Sequence, residues 1–264
     1  MSDDAWSPRE IAARVESVGV AKAQANPLTV LVLAVLAGAF VSLGAAFYTV
    51  VVTDSRLGLG VTRLLGGLAF SLGLILVVVA GAELFTGNNL VAMAWASRLV
   101  RLRELLRNWL LVYTGNVVGA LGTVLLIRLG RVDALGGGAV GETALLIGRT
   151  KASLGMVQAV ALGVLCNALV CLAVWLAIGS RSVTDKILAV LLPIAAFVTL
   201  GSEHSIANWF FLPYAWLLGA GETPGYSEGA LRNLAFVTVG NIGGGTLLVA
   251  GVYWLAYLRT GARS

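Results

Sequence analysis

The sequence predicts an all-α, polytopic membrane protein with six crossings, and three observations support this. Of its 264 residues, 58% are hydrophobic and 12% charged, and the mean hydropathy of +0.91 exceeds that of soluble domains. Uncharged runs long enough to enter a bilayer recur along the chain. Two of these apolar stretches are interrupted by polar residues, at Glu83 and at Glu203-His204.

Residues 1 to 27 are predicted to form an amphipathic helix outside the bilayer. The run Ser7-Pro8-Arg9-Glu10 has the pattern of a capping box with proline at the first helical position. We expect the helix to lie along the membrane surface, the alternative being a solvated tail that frays. Asp3 and Asp4 stand where a cleaved signal peptide would carry basic residues, so the N-terminus is expected to be retained.

The uncharged runs predict the crossings, since each crossing needs about 20 residues. Four runs can each cross alone: residues 28 to 52, 109 to 127, 152 to 180 and 233 to 258. The others form two pairs that are too short to cross twice: 64 to 82 with 84 to 97, and 187 to 202 with 205 to 221. The second and fifth crossings are therefore predicted to be broken helices, within a channel domain of residues 28 to 258.

Basic residues predict the orientation. Six crossings place both termini on one side, and that side carries eleven lysines and arginines against seven on the other. The positive-inside rule then predicts cytoplasmic termini, with a cytoplasmic tail at residues 259 to 264. Because these loops account for the net charge of +5, nucleic-acid binding is not expected.

The chain contains an internal duplication. Arg107-Asn108, Gly115-Asn116 and Gly119 recur 125 residues later, and the polar break Gly81-Ala-Glu83, with Asn88, recurs 120 residues later as Gly201-Ser-Glu203, with Asn208. Each copy, at about 28 to 130 and 152 to 258, holds three crossings, so the copies must have opposite orientations. In such inverted repeats, broken helices direct their termini at a permeating solute near the midplane, and helix N-termini favour an anion.

The breaks contain the candidate pathway residues. His204 is the only histidine and interrupts an apolar span, so it is predicted to lie on the solute pathway, where it can donate a hydrogen bond or carry a proton. Thr86 is expected to offer its hydroxyl there, or else to cap the next half-helix. Glu83 and Glu203 each need partners, because a carboxylate at mid-membrane costs about 2.5 to 3.5 kcal/mol. We expect them to accept hydrogen bonds from the interrupted backbone.

Several further residues have two interpretations each. Lys151, interpreted as the start of the fourth crossing, either attracts anions into a vestibule or extends to the interface. Asn167 either bonds a passing solute or ties helices together. Cys166 and Cys171 have the spacing of neither a zinc site nor a redox pair and are expected to be packing residues. Bulky apolar residues near the breaks can close a pore by dewetting: Phe70, Leu74, Phe85 and Phe197.

Four segments resemble the signatures of the formate/nitrite transporters. They are Gly81-Ala-Glu-Leu-Phe-Thr86-Gly, Leu165-Cys-Asn167-Ala-Leu-Val-Cys-Leu-Ala-Val-Trp175, Gly201-Ser-Glu-His204-Ser-Ile-Ala-Asn208 and Val237-Thr-Val-Gly-Asn241-Ile-Gly-Gly-Gly. The resemblance implies an aquaporin-like protomer in a homopentamer of the bacterial inner membrane, with one pore per protomer and no cofactor or metal.

The resemblance also implies residue roles. His204 would sit at the pore centre opposite Thr86, with Asn167 nearby and Lys151 near the periplasmic entrance. Glu203 is also expected on the substrate pathway. Phe70 and Phe197 would form the outer constriction, and the inner one would comprise Leu74, Leu84 and Phe85.

The implied function is transport of a small monovalent anion together with protons. Residues 181 to 186 and 70 to 79 look like those of formate channels. Against this, the connection from 219 to 232 is shorter than in a formate channel, and the Thr86-Gly87 pair also looks like nitrite members. Formate is the favoured solute, with nitrite or hydrosulfide as the alternative. A membrane enzyme using Glu203 and His204 as an acid–base pair is the remote alternative, since the break lacks a second histidine or a plausible nucleophile.

Overall fold

The computed structural model describes residues 5 to 259, and these residues form helices without any β-strand. The predicted tail from 260 onward, and Asp3 and Asp4, lie outside this range. Ten α-helices run in this order: α1 Pro8–Gln24, α2 Pro27–Val52, α3 Leu59–Leu76, α4 Ala92–Ala96, α5 Leu102–Leu129, α6 Ala139–Ala152, α7 Met156–Gly179, α8 Val183–Thr199, α9 Ser205–Leu217 and α10 Tyr226–Gly243. Short 3-10 helices lie at Gly87–Val91, Val132–Gly138 and Ala220–Glu222.

Five helical segments are long and apolar enough to cross a membrane. They are Pro27–Val52, Leu59–Gly81, Leu102–Leu129, Met156–Gly179 and Tyr226–Leu258. In two of them π-helical turns continue the α-helix, so that the segment of α3 ends at Gly81 and that of α10 ends at Leu258. The helices α8 and α9, with 17 and 13 residues, are each shorter than a crossing requires.

The chain leaves helical geometry at two related glycines. The segment that begins with α3 ends at Gly81, with φ +81°, and Ala82 after it is extended. After α8, Gly201 has φ +69°, and α9 begins at Ser205. Left-handed backbone is accessible to glycine at little cost, which explains why both interruptions carry it.

Asn116 on α5 and Asn241 on α10 bond the polar backbone at these interruptions. The Asn116 amide donates to the carbonyls of Ala34 (2.7 Å) and Glu83 (2.8 Å), and its oxygen accepts from the Phe85 N–H at 2.9 Å. Asn241 repeats this pattern, with donation to Gly163 (2.8 Å) and Glu203 (2.9 Å) and acceptance from the Ser205 N–H at 2.8 Å. These bonds satisfy main-chain groups that lipid could not satisfy.

Glycines allow the long helices to approach closely. A Cβ on Gly119 of α5 would overlap the carbonyl oxygen of Val35 on α2, and a Cβ on Gly244, which follows α10, would overlap that of Val164 on α7. The two contacts are related by the duplication. Such small-residue contacts let backbones pack where apolar burial provides no drive for helix association.

The N-terminal helix is packed against the rest of the protein. The Ser7–Glu10 capping box is present, with α1 beginning at Pro8. The buried face of α1, which includes Ile11, Val15 and Gly19, packs against the first interruption, α4 and α7. Gly19 allows close approach to Ala94 on α4, since a Cβ at this position would lie 3.2 Å from the Ala94 Cβ.

The helix α6 was not predicted, and it changes the position of Lys151. That lysine lies in the last turn of α6, whereas α7 begins at Met156. The expectation that Lys151 opens the fourth crossing was therefore wrong in detail. The three residues from Ser153 to Gly155 redirect the chain between the two helices.

Candidate functional site

Two cavities adjoin the interruptions, one beside each. The Lys22 cavity, of about 340 Å³, is bounded by α1, α3 and the first interruption, and its wall includes Lys22, Leu74, Glu83, Leu84 and Asn88. The Lys151 cavity, of about 80 Å³, is bounded by the second interruption, and its wall includes Tyr48, Phe70, Lys151, Phe197, Ser202, Glu203 and His204. The two walls have no residue in common.

His204 lies between helices with one nitrogen committed to the backbone. The residue is buried, occupies the N-cap position of α9, and its Nδ1 accepts a hydrogen bond from the Ala207 N–H at 3.2 Å. An accepting Nδ1 carries no proton, so in the neutral imidazole the proton is on Nε2. That Nε2 is 3.1 Å from the Thr86 hydroxyl oxygen, to which it donates.

Thr86 connects the first interruption to the second. It occupies the N-cap position of the 3-10 helix Gly87–Val91 but makes no side-chain capping bond, so the capping alternative does not apply. Its carbonyl accepts from the Asn167 amide and from the Cys171 thiol, each at 3.3 Å. Because the Thr86 hydroxyl oxygen accepts the hydrogen bond from His204, the Thr86 hydroxyl proton is available to another acceptor.

Asn167 ties α7 to both halves of the duplication. Its amide nitrogen donates to the side-chain oxygen of Asn89 at 2.9 Å and to the Asn241 carbonyl at 2.7 Å. Its side-chain oxygen is buried and has no hydrogen-bond partner among residues 5 to 259. The helix-tying interpretation therefore accounts for the amide nitrogen, and the oxygen is left as an unused acceptor.

Glu203 is bonded by side chains on three helices. Lys151 Nζ lies 2.7 Å from Oε1, while the amides of Asn208 and Asn233 donate to Oε2 at 2.7 and 3.2 Å. The carboxylate thus accepts from side chains, and the interrupted backbone is bonded by asparagines instead, unlike the sequence-based expectation. The Lys151 side chain is only 14% exposed, so it does not extend to the interface.

The same network occurs a second time around Glu83. Lys22 Nζ lies 2.7 Å from Glu83 Oε1, and the Asn88 amide donates to Oε2 at 2.6 Å. Asn108 accepts from Asn88 at 3.0 Å and donates to the Lys22 carbonyl at 3.1 Å, as Asn233 does with Asn208 and the carbonyl of Lys151.

The sequence interpretation missed the role of Lys22 in this network. A signal was available, because Lys22 precedes the start of α2 at Pro27 by five residues, as Lys151 precedes the start of α7 at Met156.

The bulky apolar residues near the interruptions separate into three groups. Phe70 and Phe197 pack edge to face at 5.5 Å between ring centroids in the wall of the Lys151 cavity. Leu74 and Leu84 line the Lys22 cavity. Phe85 packs edge-on against Tyr113 at 4.9 Å and is absent from both cavity walls within the described part of the chain.

The remaining reactive side chains are few. Cys166 and Cys171 are buried free thiols. Among residues 5 to 259, no group of three or more histidine, cysteine, aspartate or glutamate side chains is arranged to hold a metal ion.

Comparison with known proteins finds relatives that align with nearly the whole chain. Formate channel FocA of Escherichia coli K12 is 40% identical over 273 aligned residues, covering 97% of this chain and 96% of that protein. A protein described as a probable formate transporter of Methanothermobacter thermautotrophicus is 36% identical, covering 96% of this chain and 97% of its own length.

Solved structures show the same similarity. A pentameric formate channel with formate bound is 42% identical, with a TM-score of 0.81, covering 88% of this chain and 98% of that one. A second structure, described as an FNT family ion channel, is 30% identical with a TM-score of 0.81, covering 94% and 98%. The family described as Formate/nitrite transporter matches residues 9 to 255. The chain is therefore a multi-pass membrane protein that belongs to the formate/nitrite transporter family.

Proposed function

We propose that this chain conducts a small monovalent anion, most favourably formate, with proton exchange at His204. The observation that carries the proposal is the bond between His204 Nε2 and the Thr86 hydroxyl. It joins a wall residue of the Lys151 cavity to the first interruption, which bounds the Lys22 cavity. Because the Nε2–H donates to the Thr86 oxygen, the Thr86 O–H is the hydrogen-bond donor that this pair offers to an anion. Relatives named as formate channels, one of them solved with formate bound, favour formate among the anions.

The route begins in the Lys151 cavity and passes the Phe70–Phe197 pair. Transferring a bare charge through an apolar slit is costly, whereas a protonated, neutral formic acid crosses at much lower cost. Proton transfer near His204 lets the solute lose its charge at the slit and regain it beyond. On the other side, Leu74 and Leu84 provide the apolar boundary before the Lys22 cavity.

We assign Lys151 and Glu203 to the entrance rather than to the central step. Because Glu203 lies within hydrogen-bond distance of Lys151, the pair has no net charge and attracts an anion only when the lysine exchanges partners. Asn167 supports Thr86 through the carbonyl bond and presents its free oxygen at the same level. Phe85 acts by packing beside the route, as its contact with Tyr113 favours.

The proposed architecture has six crossings in an inverted 3+3 repeat, with the second and fifth interrupted. The α8 and α9 helices together provide the fifth, and the matched bonds of Asn116 and Asn241 support the aquaporin-like pairing of the halves. Residues 28 to 258 form the channel domain after an N-terminal helical segment. The protein assembles as a homopentamer in the inner membrane lipid bilayer with both termini cytoplasmic, the pentamer being favoured by the similar solved channel.

Nitrite or hydrosulfide transport is the second candidate, since both are small anions that the same donors can accept. A membrane enzyme is disfavoured by the contacts of Glu203, whose carboxylate oxygens bond Lys151, Asn208 and Asn233, and therefore do not orient the His204 ring. Comparing formate, nitrite and hydrosulfide flux in the same vesicles distinguishes the anions.

The decisive test uses two histidine variants in proteoliposomes. We expect wild-type formate uptake to rise as external pH falls. His204→Asn keeps an oxygen that can cap α9 but removes the titratable ring, so it should fold normally and lose this pH dependence. His204→Phe, which also removes the cap, should lose it as well. Wild-type pH dependence in a folded His204→Asn channel would overturn the central role of the histidine.

A further inference from the structure

The Lys151 cavity contains two hydroxyl groups that the proposed route does not use. Ser202 lies in its wall beside Glu203, is 7% exposed, and its hydroxyl oxygen has no hydrogen-bond partner within residues 5 to 259. Tyr48 of α2 lines the same cavity and packs edge-on against Phe211 at 6.0 Å. A buried hydroxyl without a partner is unfavourable by about 1 to 3 kcal/mol, so Ser202 requires an explanation beyond packing.

The duplication shows that the scaffold does not require either hydroxyl. Ser202 corresponds to Ala82 at the offset of 120 that relates Glu203 to Glu83. Tyr48 corresponds to Ala177 at the offset of 129 that relates Lys22 to Lys151. Alanine therefore permits the same chain interruption and the same Lys–Glu network on the other side. The two hydroxyls are specific to the Lys151 cavity.

The surroundings of these hydroxyls suit a small anion. The cavity volume of about 80 Å³ exceeds the roughly 10 to 15 Å³ needed for one water, which leaves room for an anion with a few waters. Arg63 donates to the Thr199 carbonyl at 3.3 Å and stands close to Gly201, next to Ser202 in the chain. The wall also includes Phe70 and Phe197, so an anion bound here is adjacent to the apolar slit.

We propose that the Ser202 and Tyr48 hydroxyls form a recognition subsite for small oxyanions such as carboxylates, ahead of the slit. The two O–H groups replace part of the hydration that the anion loses there, and hydrogen bonds to a charged acceptor are stronger than neutral ones. The subsite selects anions with oxygen acceptors over those with sulfur, a weak acceptor. It rests on the proposed anion transport and specifies the class of solute.

The test measures the concentrations of formate and of hydrosulfide that give half-maximal uptake. The vesicles hold the full-length protein in one orientation, and the solute is added on the side of the Lys151 cavity. Ser202→Ala and Tyr48→Phe each remove one oxygen with little change of shape. We expect each to raise the formate half-saturation about 3- to 10-fold, and the double variant to raise it further. Hydrosulfide half-saturation should change less than about twofold.

Matched variants separate recognition from packing. Ser202→Thr keeps the hydroxyl and should retain near wild-type half-saturation. Ala82→Ser adds a hydroxyl at the corresponding position of the Lys22 cavity and should leave formate entry from the Lys151 side unchanged.

The possible outcomes distinguish this subsite from the proposed function. Formate half-saturation that is unchanged in the double variant, or raised equally for both anions, overturns the subsite while transport stands. Wild-type protein without formate flux above empty vesicles overturns the proposed function and the subsite with it.

Discussion

His204 combines a structural bond with a proton-bearing nitrogen in one side chain. Its Nδ1 accepts from the Ala207 N–H, so a proton could be added there only by breaking the cap of α9. Its Nε2 faces the Thr86 hydroxyl. Because Nε2 already carries the proton of the neutral ring, the ring takes up a second proton only when the Nδ1 bond to Ala207 opens, while Thr86 receives the Nε2 hydrogen bond.

Replacing Thr86 tests this bond at the scale of one oxygen atom. Thr86→Val keeps the shape but leaves the buried Nε2–H without its acceptor, and it removes one donor to the solute. We expect formate uptake to fall about tenfold or more, from the loss of a buried hydrogen bond. Thr86→Ser, which keeps the hydroxyl, should retain most of the uptake. Equal uptake by the valine and serine variants would contradict the role of the hydroxyl.

At the scale of helices and their connections, the repeated motifs predict more of the structure than composition does. The recurring Gly-Glu and Gly-Asn patterns include Gly81 and Gly201, where the backbone has positive φ, and they pair Asn116 with Asn241, whose hydrogen bonds match. The docking of α1 and the existence of α6 were missed, because neither segment contains a long uncharged run. The Lys–Glu pairs were missed for a related reason, since they join residues 61 and 52 apart in sequence.

Helix packing makes a prediction that two glycines of α5 can test. Gly119 faces the backbone of α2, where a Cβ would overlap the Val35 carbonyl, whereas nothing lies within 4 Å of a Cβ built on Gly122. Gly119→Ala should therefore destabilise the protein by about 1 to 3 kcal/mol, through overpacking. Gly122→Ala should be neutral or slightly stabilising. Thermal unfolding in detergent measures both, and equal melting temperatures would contradict the close contact.

The capping box of α1 contains a carboxyl group, that of Glu10, which we expect not to control the pH dependence of formate uptake. Hydrogen bonds from the Ser7 hydroxyl and backbone lower the pKa of Glu10 below its usual value of 4.5. A carboxyl group whose pKa is lower in the folded protein stabilises the fold at pH values above its ordinary pKa. This stabilisation is lost as the pH falls to the lower pKa of the folded state. Between pH 5 and 7, Glu10 therefore stays ionised. Glu10→Gln should keep the wild-type slope of formate uptake against pH, and a flattened slope would implicate α1 instead of His204.

Considered as a whole, the molecule has a duplicated scaffold and an unduplicated centre. The Lys22–Glu83 and Lys151–Glu203 pairs have the same length of 2.7 Å and equivalent asparagine partners. At the centre the equivalence ends, because His204 corresponds to Leu84 and Thr86 to Ile206. The scaffold can therefore hold two interrupted helices in the same way while the proton-bearing group stands on one of them.

The proposed inverted repeat makes a topological prediction: the helices α1 and α6, which the duplication relates, should lie on opposite faces of the membrane. Cys166 and Cys171 are buried, so an impermeant maleimide should leave the native protein unlabelled. Ser17→Cys on α1 and Ala134→Cys just before α6 each introduce an exposed thiol. The excess of basic residues on the side of the termini predicts labelling of Ala134→Cys in spheroplasts, and of Ser17→Cys only after permeabilisation. Labelling of both from the same side would contradict the inverted arrangement, however closely the two Lys–Glu networks correspond.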